Sequence, residues 1–250
     1  MIELKSASEL EKMRAAGRVL AGVLEAVVQK VAPGVSTLEL DAVAERAIAA
    51  AGAQAAFKGY RGYPATICTS INNEVIHGIP SERKLRRGDI VSLDVGVKLD
   101  GFYADTATTV ALPPVAPPVE ELLRVTREAL TRGIEQMRVG RHLADVSAAI
   151  QQHVEAAGFG VVREFVGHGI GTAMHEEPNV PNFVSPTSGR GPKLTAGMVF
   201  ALEPMVTAGS PAVRLRPDHW TAATADGSWA AHFEHTVAVT RNGPWILTEP

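Results

Sequence analysis

Asp94 and Asp105 lie in two runs rich in β-branched residues, on either side of the dipeptide Asp100-Gly101. This dipeptide is favoured in two-residue type I′ hairpins, and such a turn sets the pairing of the two runs. Counting back from the turn pairs Asp94 with Ala107, which makes the two aspartates diagonal neighbours on one face. Two carboxylates placed in this way can hold cations between them and would repel one another without a cation. The hairpin alone is equally compatible with aspartates that only solvate an outer face.

Three further segments each place a possible metal ligand where polar side chains are uncommon. His168 lies between two glycines, which let the backbone approach a site closely. Glu203 follows an apolar run, and Glu234 lies in a run with aromatic and β-branched residues. Charged side chains are rarely unpaired in such places. Together with the two aspartates, these residues predict a site for two divalent Mn, Fe, Co or Zn ions rather than Ca or Mg.

Composition excludes several classes of protein. The 250 residues carry a formal net charge of -3, which offers no general attraction for DNA. Cys68 is the one cysteine, so an internal disulfide framework and a multi-thiolate zinc site are both excluded. Charged residues near the N-terminus interrupt any signal-peptide core, and no apolar run reaches the roughly 18 residues of a membrane span. We therefore expect a cytoplasmic protein without a membrane partner.

The pattern of apolar residues predicts the elements that must hold these side chains. Ser6 and Ser36 each precede a glutamate at capping-box spacing, and helical periodicity follows, to Val31 in one case and to about Gly52 in the other. Short strands and then two more helices are expected. The strands are expected at Ala65 to Ile71, Asp89 to Lys98 and Gly101 to Leu112, and the helices at Val119 to Met137 and Leu143 to Ala157.

The two halves of the chain resemble each other. The interval that separates Gly34 from Gly140 also separates Gly52 from Gly158. In the two segments that these glycines bound, 34–52 and 140–158, the apolar residues recur with the same helical phase. We therefore expect one catalytic domain, residues 1–250, built from related halves at about 1–112 and 119–250. A Pro-rich link would join these halves, since each alone has too few strands to cover its helices.

Six ordered motifs together span nearly the whole chain. They are Gly59-Tyr60-Arg61-Gly62-Tyr63-Pro64, Ile71-Asn72-Asn73-Glu74-Val75-Ile76-His77-Gly78-Ile79-Pro80, Asp94-Val95-Gly96, Asp105-Thr106-Ala107, Gly167-His168-Gly169-Ile170-Gly171 and Glu203-Pro204. These motifs resemble those of one family, the type I methionine aminopeptidases of the creatinase-like pita-bread fold. The resemblance implies an α+β fold with a pseudo-twofold repeat of helix pairs packed on a curved antiparallel sheet.

The resemblance also implies roles for residues of this chain. Asp94 would hold one metal ion, Asp105 and Glu234 would bridge two ions, and His168 with Glu203 would hold the second. Glu203 would also accept a proton from the attacking water and relay it to the leaving amine. His175 would stabilise the developing oxyanion, and His77 would hydrogen-bond to the amide nitrogen beyond the cleaved bond.

A methionine side chain needs an apolar pocket able to pack a flexible thioether. Taken singly, each aromatic residue is better explained by ordinary core packing. Two positions depart from the best-known bacterial pattern, which has cysteine where this chain has Phe57 and phenylalanine where it has Met174, so the pocket outline is expected to differ. The residues that match pocket positions of the family are Phe57, Tyr60, Tyr63, Cys68, His77, Met174, His175 and Trp220.

The expected function is therefore removal of the initiator methionine from nascent polypeptides whose second residue is small. The segment between His175 and Glu203 is too short for the helical insertion of type II enzymes. A proline-directed peptidase of the same fold and a non-catalytic binding protein remain as alternatives. We expect a monomer. A basic run is expected to form a solvated turn before a strand, and a transient contact with ribosomal RNA is the alternative. This run contains Arg83, Lys84, Arg86 and Arg87.

Overall fold

The computed structural model describes residues 2–185 and 189–250, so Met1, where the expected domain starts, lies outside the described residues. Within these ranges, four helices occur as two pairs, and each pair is followed by a group of strands. The helices are α1 (Ala7–Val28), α2 (Thr37–Ala50), α3 (Pro117–Glu135) and α4 (Leu143–Ala156). No helix among the described residues has both the length and the apolar character needed to cross a membrane.

The segments between the helix pairs and after them contain the strands. The strands are β1 (Gln54–Ala55), β2 (Ile67–Ile71), β3 (Glu74–Ile76), β4 (Ile90–Leu99), β5 (Phe102–Ala111), β6 (Gly160–Val161), β7 (Gly167–Gly169), β8 (Glu176–Val180), β9 (Val199–Leu202), β10 (Met205–Thr207), β11 (Val213–Leu215), β12 (Ala222–Thr224), β13 (Ala230–His232), β14 (Glu234–Thr240) and β15 (Gly243–Ile246). A short 3₁₀ turn at Tyr60–Gly62 lies between β1 and β2.

One curved antiparallel sheet organises the fold, as expected. Its main order is β1-β4-β5-β14-β9-β7-β8, with β2 paired to β4 and β15 paired to β14. Two small three-stranded sheets, β13-β10-β6 and β11-β12-β3, complete the strand pairing. Helices α1 and α2 pack over the β4 side through residues such as Leu20 and Leu93. Helices α3 and α4 pack over the β9 side through residues such as Ile150 and Phe200, so each half of the sheet is covered by one helix pair.

Local capping explains where the helices begin. The Ser6 side chain accepts a hydrogen bond from the Glu9 backbone N–H while the Glu9 carboxylate accepts one from the Ser6 N–H, and Ser36 with Glu39 repeats this arrangement. These interactions confirm both predicted starts. The expected end of α1 at Val31 is wrong, because the helix closes at Val28 in a tighter turn ahead of Pro33-Gly34.

Helix α3 begins inside the segment expected to be a linker. Pro117 and Pro118 occupy its first two positions, where a backbone N–H has no helical partner and proline is tolerated. The predicted start of this helix at Val119 is therefore wrong by two residues. The Pro-rich segment before α3 is correspondingly shorter, and it ends at Ala116.

Helix α1 also packs against the C-terminal segment, and Gly17 makes the closest approach. A β-carbon at Gly17 would lie 1.9 Å from the Leu247 carbonyl oxygen, which already accepts a hydrogen bond from Arg14. We expect Gly17→Ala to lower the free energy of unfolding by about 1–3 kcal/mol, because backbone on both sides must shift. Urea denaturation followed by circular dichroism measures this change.

Gly22 provides the control in the same helix, since a β-carbon there would meet no atom within 4 Å. Gly22→Ala should raise the free energy of unfolding by up to about 1 kcal/mol, because alanine favours helix more than glycine does. Equal changes in both variants would contradict the proposed contact with Leu247.

Candidate active site

The hairpin of β4 and β5 has the register expected from its turn. Asp94 pairs with Ala107 and Gly96 pairs with Asp105, so the two aspartates are diagonal neighbours on one face. Asp100 and Gly101 have φ angles of 48° and 87°, as a type I′ turn requires. Both Asp94 and Asp105 are buried, which excludes the alternative in which they solvate an outer face.

Strand pairing brings the other predicted ligands beside these aspartates. Glu234 begins β14 and pairs with Ala107 of β5, which also pairs with Asp94 on its other side, so the three residues form one row across the sheet and share a face. Strand β14 then pairs with β9, whose end is followed directly by Glu203. His168 lies on β7, the next strand, opposite Ala201. Five neighbouring strands, β4, β5, β14, β9 and β7, therefore bring four carboxylates and one imidazole to one place in the sheet.

The predicted ligands form a buried cluster. His168 Nε2 lies 3.8 Å from Asp105 Oδ2 and 3.8 Å from Glu203 Oε1. Ligand atoms of Asp105, His168 and Glu234 all lie within 4.8 Å of one another. Among the described residues, Asp94 Oδ1, Asp105 Oδ1 and Glu234 Oε1 are buried without a hydrogen-bond partner. Buried polar atoms normally have partners, so oxygen atoms left open towards one another fit a bound cation.

The tautomer of His168 supports the same conclusion. Its Nδ1 lies 2.8 Å from the Gly169 carbonyl oxygen, which can only accept a hydrogen bond. The proton of the neutral ring is therefore on Nδ1, and the lone pair of Nε2 faces the carboxylates. This arrangement is the one found in metal-binding histidines, in which the second nitrogen donates to a carbonyl or carboxylate.

Burial makes isolated charge unfavourable throughout the cluster. Burial raises the pKa of Asp94 to about 7. Burial and the neighbouring carboxylates raise the pKa values of Asp105, Glu203 and Glu234 well above the ordinary range. Burial together with nearby His175 lowers the pKa of His168 to about 3, so this ring is neutral near pH 7. Positive charge from a cation would offset the repulsion between these carboxylates.

A cavity of about 120 Å³ opens above the cluster. Every residue predicted from the sequence to bind metal or substrate lines this one cavity. Two lining residues were not predicted, although Arg61 and Ile76 both lie inside motifs already recognised. The predicted residues that line the cavity are Phe57, Tyr60, Tyr63, Cys68, His77, Asp94, Asp105, His168, Met174, His175, Glu203, Trp220 and Glu234.

His175 lies between Tyr60 and the metal-ligand cluster. Its Nδ1 is 2.9 Å from the Tyr60 hydroxyl, and the two rings stack at a centroid distance of 5.3 Å. On its other side the ring centroid lies 4.1 Å from that of His168. Partial desolvation, with a smaller contribution from the positive charge of Arg61, lowers the pKa of His175 to about 4.

Tyr63, Trp220 and His77 pack against one another in the wall of the same cavity. The Tyr63 hydroxyl lies 3.0 Å from the carbonyl oxygens of both Ile67 and Gly78, which ties β2 to the segment after β3. The Trp220 ring packs edge-on against Tyr63 at 5.1 Å and against His77 at 6.4 Å. His77 adopts a φ of 60°, an uncommon conformation for a residue with a side chain and one that is enriched at functional sites.

The structure also brings His232 to the cluster, a residue to which the sequence analysis assigned no role. Its Nε2 lies 3.7 Å from Glu203 Oε2, and neither ring nitrogen has a hydrogen-bond partner among the described residues. Alternation along the strand could have indicated that His232 faces the cluster, because it lies two residues before Glu234 and residues two apart share a face. The same alternation sends His235 to the other face, where its Nδ1 lies 2.8 Å from Thr248 Oγ1.

Comparison with known proteins places this arrangement in a wider group. A model of metallopeptidase family M24 matches residues 11–241. Methionine aminopeptidase of Clostridium perfringens is 52% identical over 248 residues, which cover 99% of each chain. The crystal structure of methionine aminopeptidase from Thermotoga maritima matches with a TM-score of 0.97 at 43% identity, over 100% of both chains. Prolidase from Pyrococcus furiosus matches with a TM-score of 0.79 at 21% identity, over 99% of this chain and 65% of the prolidase chain. At this identity the match shows only that the two proteins share a fold.

Proposed function

This chain belongs to metallopeptidase family M24 and, within it, to the methionine aminopeptidases, and we propose that it removes the N-terminal methionine of other polypeptides. The reaction hydrolyses the peptide bond after the first residue. One observation carries the proposal: a single cavity contains both a buried set of carboxylates with imidazole and a wall of aromatic and sulfur-containing side chains. The first suits cations, and the second suits a methionine thioether.

The metal site in this proposal holds two divalent ions, drawn from Co, Mn, Fe and Zn. Support comes from the partnerless carboxylate oxygens and from the lone pair of His168 Nε2, which faces two carboxylates. When bound, such ions supply Lewis acidity towards a carbonyl oxygen and lower the pKa of water. The residues that would hold them are Asp94, Asp105, His168, Glu203 and Glu234.

Glu203 is the proposed carrier of the proton during hydrolysis. Its Oε1 faces His168 and its Oε2 faces His232, so both oxygens are directed into the cluster and not towards solvent. A carboxylate held there can accept a proton from the attacking water and return it to the amine that leaves. The hydrogen bond from Asn182 Nδ2 to the Glu203 carbonyl oxygen, at 3.0 Å, holds the backbone at this position.

His175 and His77 are proposed to act as neutral hydrogen-bond donors. Desolvation lowers the pKa of each to about 4, so both rings are uncharged near pH 7. When the Tyr60 hydroxyl donates to Nδ1 of His175, the ring carries its proton on Nε2 and can donate it to the carbonyl oxygen as negative charge develops there. His77 lines the same cavity, and we propose that it hydrogen-bonds to the amide nitrogen that becomes the leaving amine.

The apolar wall accounts for the choice of methionine. One apolar cluster brings together Tyr63, Cys68 and Trp220 from different segments of the chain. Phe57 and Met174 belong to the same cluster. Phe57 packs over Gly96, where a β-carbon would lie 2.7 Å from its ring. An aromatic ring and a flexible thioether can adapt to a long unbranched side chain, so Phe57 and Met174 together shape this pocket.

Restoring metal to the stripped protein is the direct test. We expect free methionine from Met-Ala-Ser only after Mn, Fe, Co or Zn is returned, because the proposed reaction needs bound metal. Among the described residues of the cavity, the carboxylates and His168 are the predicted ligands. Met-Arg-Ser should release no measurable methionine, since we propose that a large second side chain blocks entry. Quantifying free methionine by mass spectrometry, one metal at a time, measures both effects.

The same assay distinguishes the alternatives. Cleavage of Ala-Pro with no release of methionine would replace the proposal with a proline-directed peptidase, whose fold this chain shares. Absence of cleavage with every metal, by protein shown to be folded, would favour a non-catalytic binding protein. Methionine release in the presence of a chelator would contradict the proposed metal site.

The proposed substrates are the N-termini of nascent polypeptides in the cytoplasm. The exposed basic run near Arg86 is a possible transient contact with the ribosome, although Arg83 also forms an ion pair with Glu74 at 3.0 Å. A monomer is proposed, with no DNA partner, in keeping with the net charge of -3. Sedimentation with and without ribosomes tests both the oligomeric state and this contact.

A further inference from the structure

A buried lysine near the N-terminus approaches the loop that carries His175. The side chain of Lys5 is 3% exposed, and its Nζ lies 2.6 Å from Glu176 Oε2, in a side chain that is 12% exposed. Lysine is almost never buried without a partner. Removing one member of such a pair leaves an uncompensated charge, so the geometry of each side chain depends on the other.

The second oxygen of the same carboxylate closes the loop. Glu176 Oε1 accepts hydrogen bonds from the backbone N–H groups of Thr172 and Ala173, at 2.8 and 3.2 Å. The Glu176 carboxylate therefore contacts Lys5 through one oxygen and the backbone of Thr172 and Ala173 through the other. Met174 and His175 are the two residues enclosed between these contacts.

Gly171 explains how Lys5 reaches this position. A β-carbon at Gly171 would lie 2.2 Å from Lys5 Cε and 2.6 Å from Glu176 Oε1, so only glycine leaves room for the ion pair. The backbone N–H of Lys5 donates to the Gly197 carbonyl oxygen at 2.7 Å, which fixes the main chain as well. The last glycine of the motif around His168 thus makes room for a residue from the N-terminal segment.

We propose that Lys5, acting through Glu176, is a positioning residue for His175. The inference rests on the proposed peptidase function, in which His175 donates a hydrogen bond to the reacting carbonyl. The Tyr60 hydroxyl orients the ring at Nδ1, and the pair of Lys5 and Glu176 holds the backbone that carries the ring. Displacement of a group by about 1 Å can lower a reaction rate about a hundredfold, so support at both ends is needed.

Kinetics of the whole protein with restored metal test this role. We expect Lys5→Met and Glu176→Gln each to lower kcat for Met-Ala-Ser by about tenfold to a hundredfold while KM changes less than about threefold, as for an interaction made mainly in the transition state. The double variant should lose no more than the worse single variant, because the two residues act as one unit. Metal stoichiometry by calorimetry should stay that of the wild type.

Glu3→Gln is the matched control. Glu3 lies 3.4 Å from the same lysine, but its side chain is 66% exposed. Its removal should leave kcat unchanged. Glu176→Gln preserves side-chain volume and provides the test if Lys5→Met does not fold. Wild-type kcat in both folded single variants, or additive losses in the double variant, would overturn the proposal.

Hydrogen exchange gives a second measurement that does not depend on activity. The amides of Thr172 and Ala173 should exchange at least about tenfold faster in Lys5→Met than in the wild type, because their acceptor is no longer held. Unchanged exchange would overturn the proposal even if the rate fell. Failure of the wild type to release methionine would instead reject the proposed function, and the exchange result would still test the structural link.

Discussion

Glu203→Gln is expected to lower kcat/KM for Met-Ala-Ser by at least about a thousandfold at saturating metal, the upper part of the range for loss of a general acid-base group. Glutamine keeps the size of the side chain but cannot accept the proton of the attacking water. The substitution also weakens a proposed metal ligand, so rates must be measured over a range of metal concentrations. Extrapolation to saturating metal separates the two effects.

The exposed Glu11 on α1 offers the same chemical change away from the cavity. Glu11→Gln should retain the wild-type rate. The Glu203 variant should remain folded, because the carbonyl oxygen that accepts from Asn182 belongs to the backbone. More than about a tenth of the wild-type rate at saturating metal would show that another group carries the proton.

Asp105→Asn is expected to reduce divalent metal affinity by at least about a hundredfold and to abolish methionine release at micromolar metal. Asp105 lies at the centre of the cluster, since its ligand atom is near those of both His168 and Glu234. An amide keeps the shape of the carboxylate but loses its charge. Isothermal titration calorimetry with Mn or Co measures the affinity directly.

The same substitution should have opposite effects on stability with and without metal. In the metal-free protein, the side-chain amide that replaces the Asp105 carboxylate can donate to a neighbouring carboxylate that otherwise has no partner, so unfolding should occur a few degrees higher than in the wild type. With metal present the order should reverse, because the wild type gains roughly 2.7 kcal/mol when the metal concentration is a hundred times Kd. Thermal scans in chelator and in metal measure both states.

Asp100 provides the control on the same hairpin. It is exposed at the turn, where asparagine before glycine also favours type I′ geometry. Asp100→Asn should therefore bind metal as the wild type does. Metal affinity that is unchanged in Asp105→Asn, or lowered equally in both variants, would contradict the assignment of Asp105 as a ligand.

Much of the site could be predicted because its central part is local in sequence. The turn at Asp100-Gly101 determines the register of a two-stranded hairpin, and that register places Asp94 and Asp105 on one face. Capping pairs such as Ser6 with Glu9 likewise determine helix starts within a few residues. The boundaries were less accurate at Val28 and Pro117, where helix ends depend on which backbone groups find partners.

The family motifs added residues that lie far apart in the chain, and the cavity brings all of them together. Alternation along a strand states which face a side chain occupies but not which strand lies beside it. The order β5-β14-β9-β7, which brings Glu234, Glu203 and His168 to the aspartates, is set by packing of the whole sheet under two helix pairs.

By itself, the amino-acid sequence determined the helix starts, the hairpin register and the residue types of a metal-dependent peptidase site. Only the tertiary structure decided which partners these residues meet, as in the approach of His232 to Glu203 and the pairing of Lys5 with Glu176. The physical reason is that capping and tight turns depend on neighbours in the chain, whereas burial and ion pairing depend on distant segments that meet only when the core is packed.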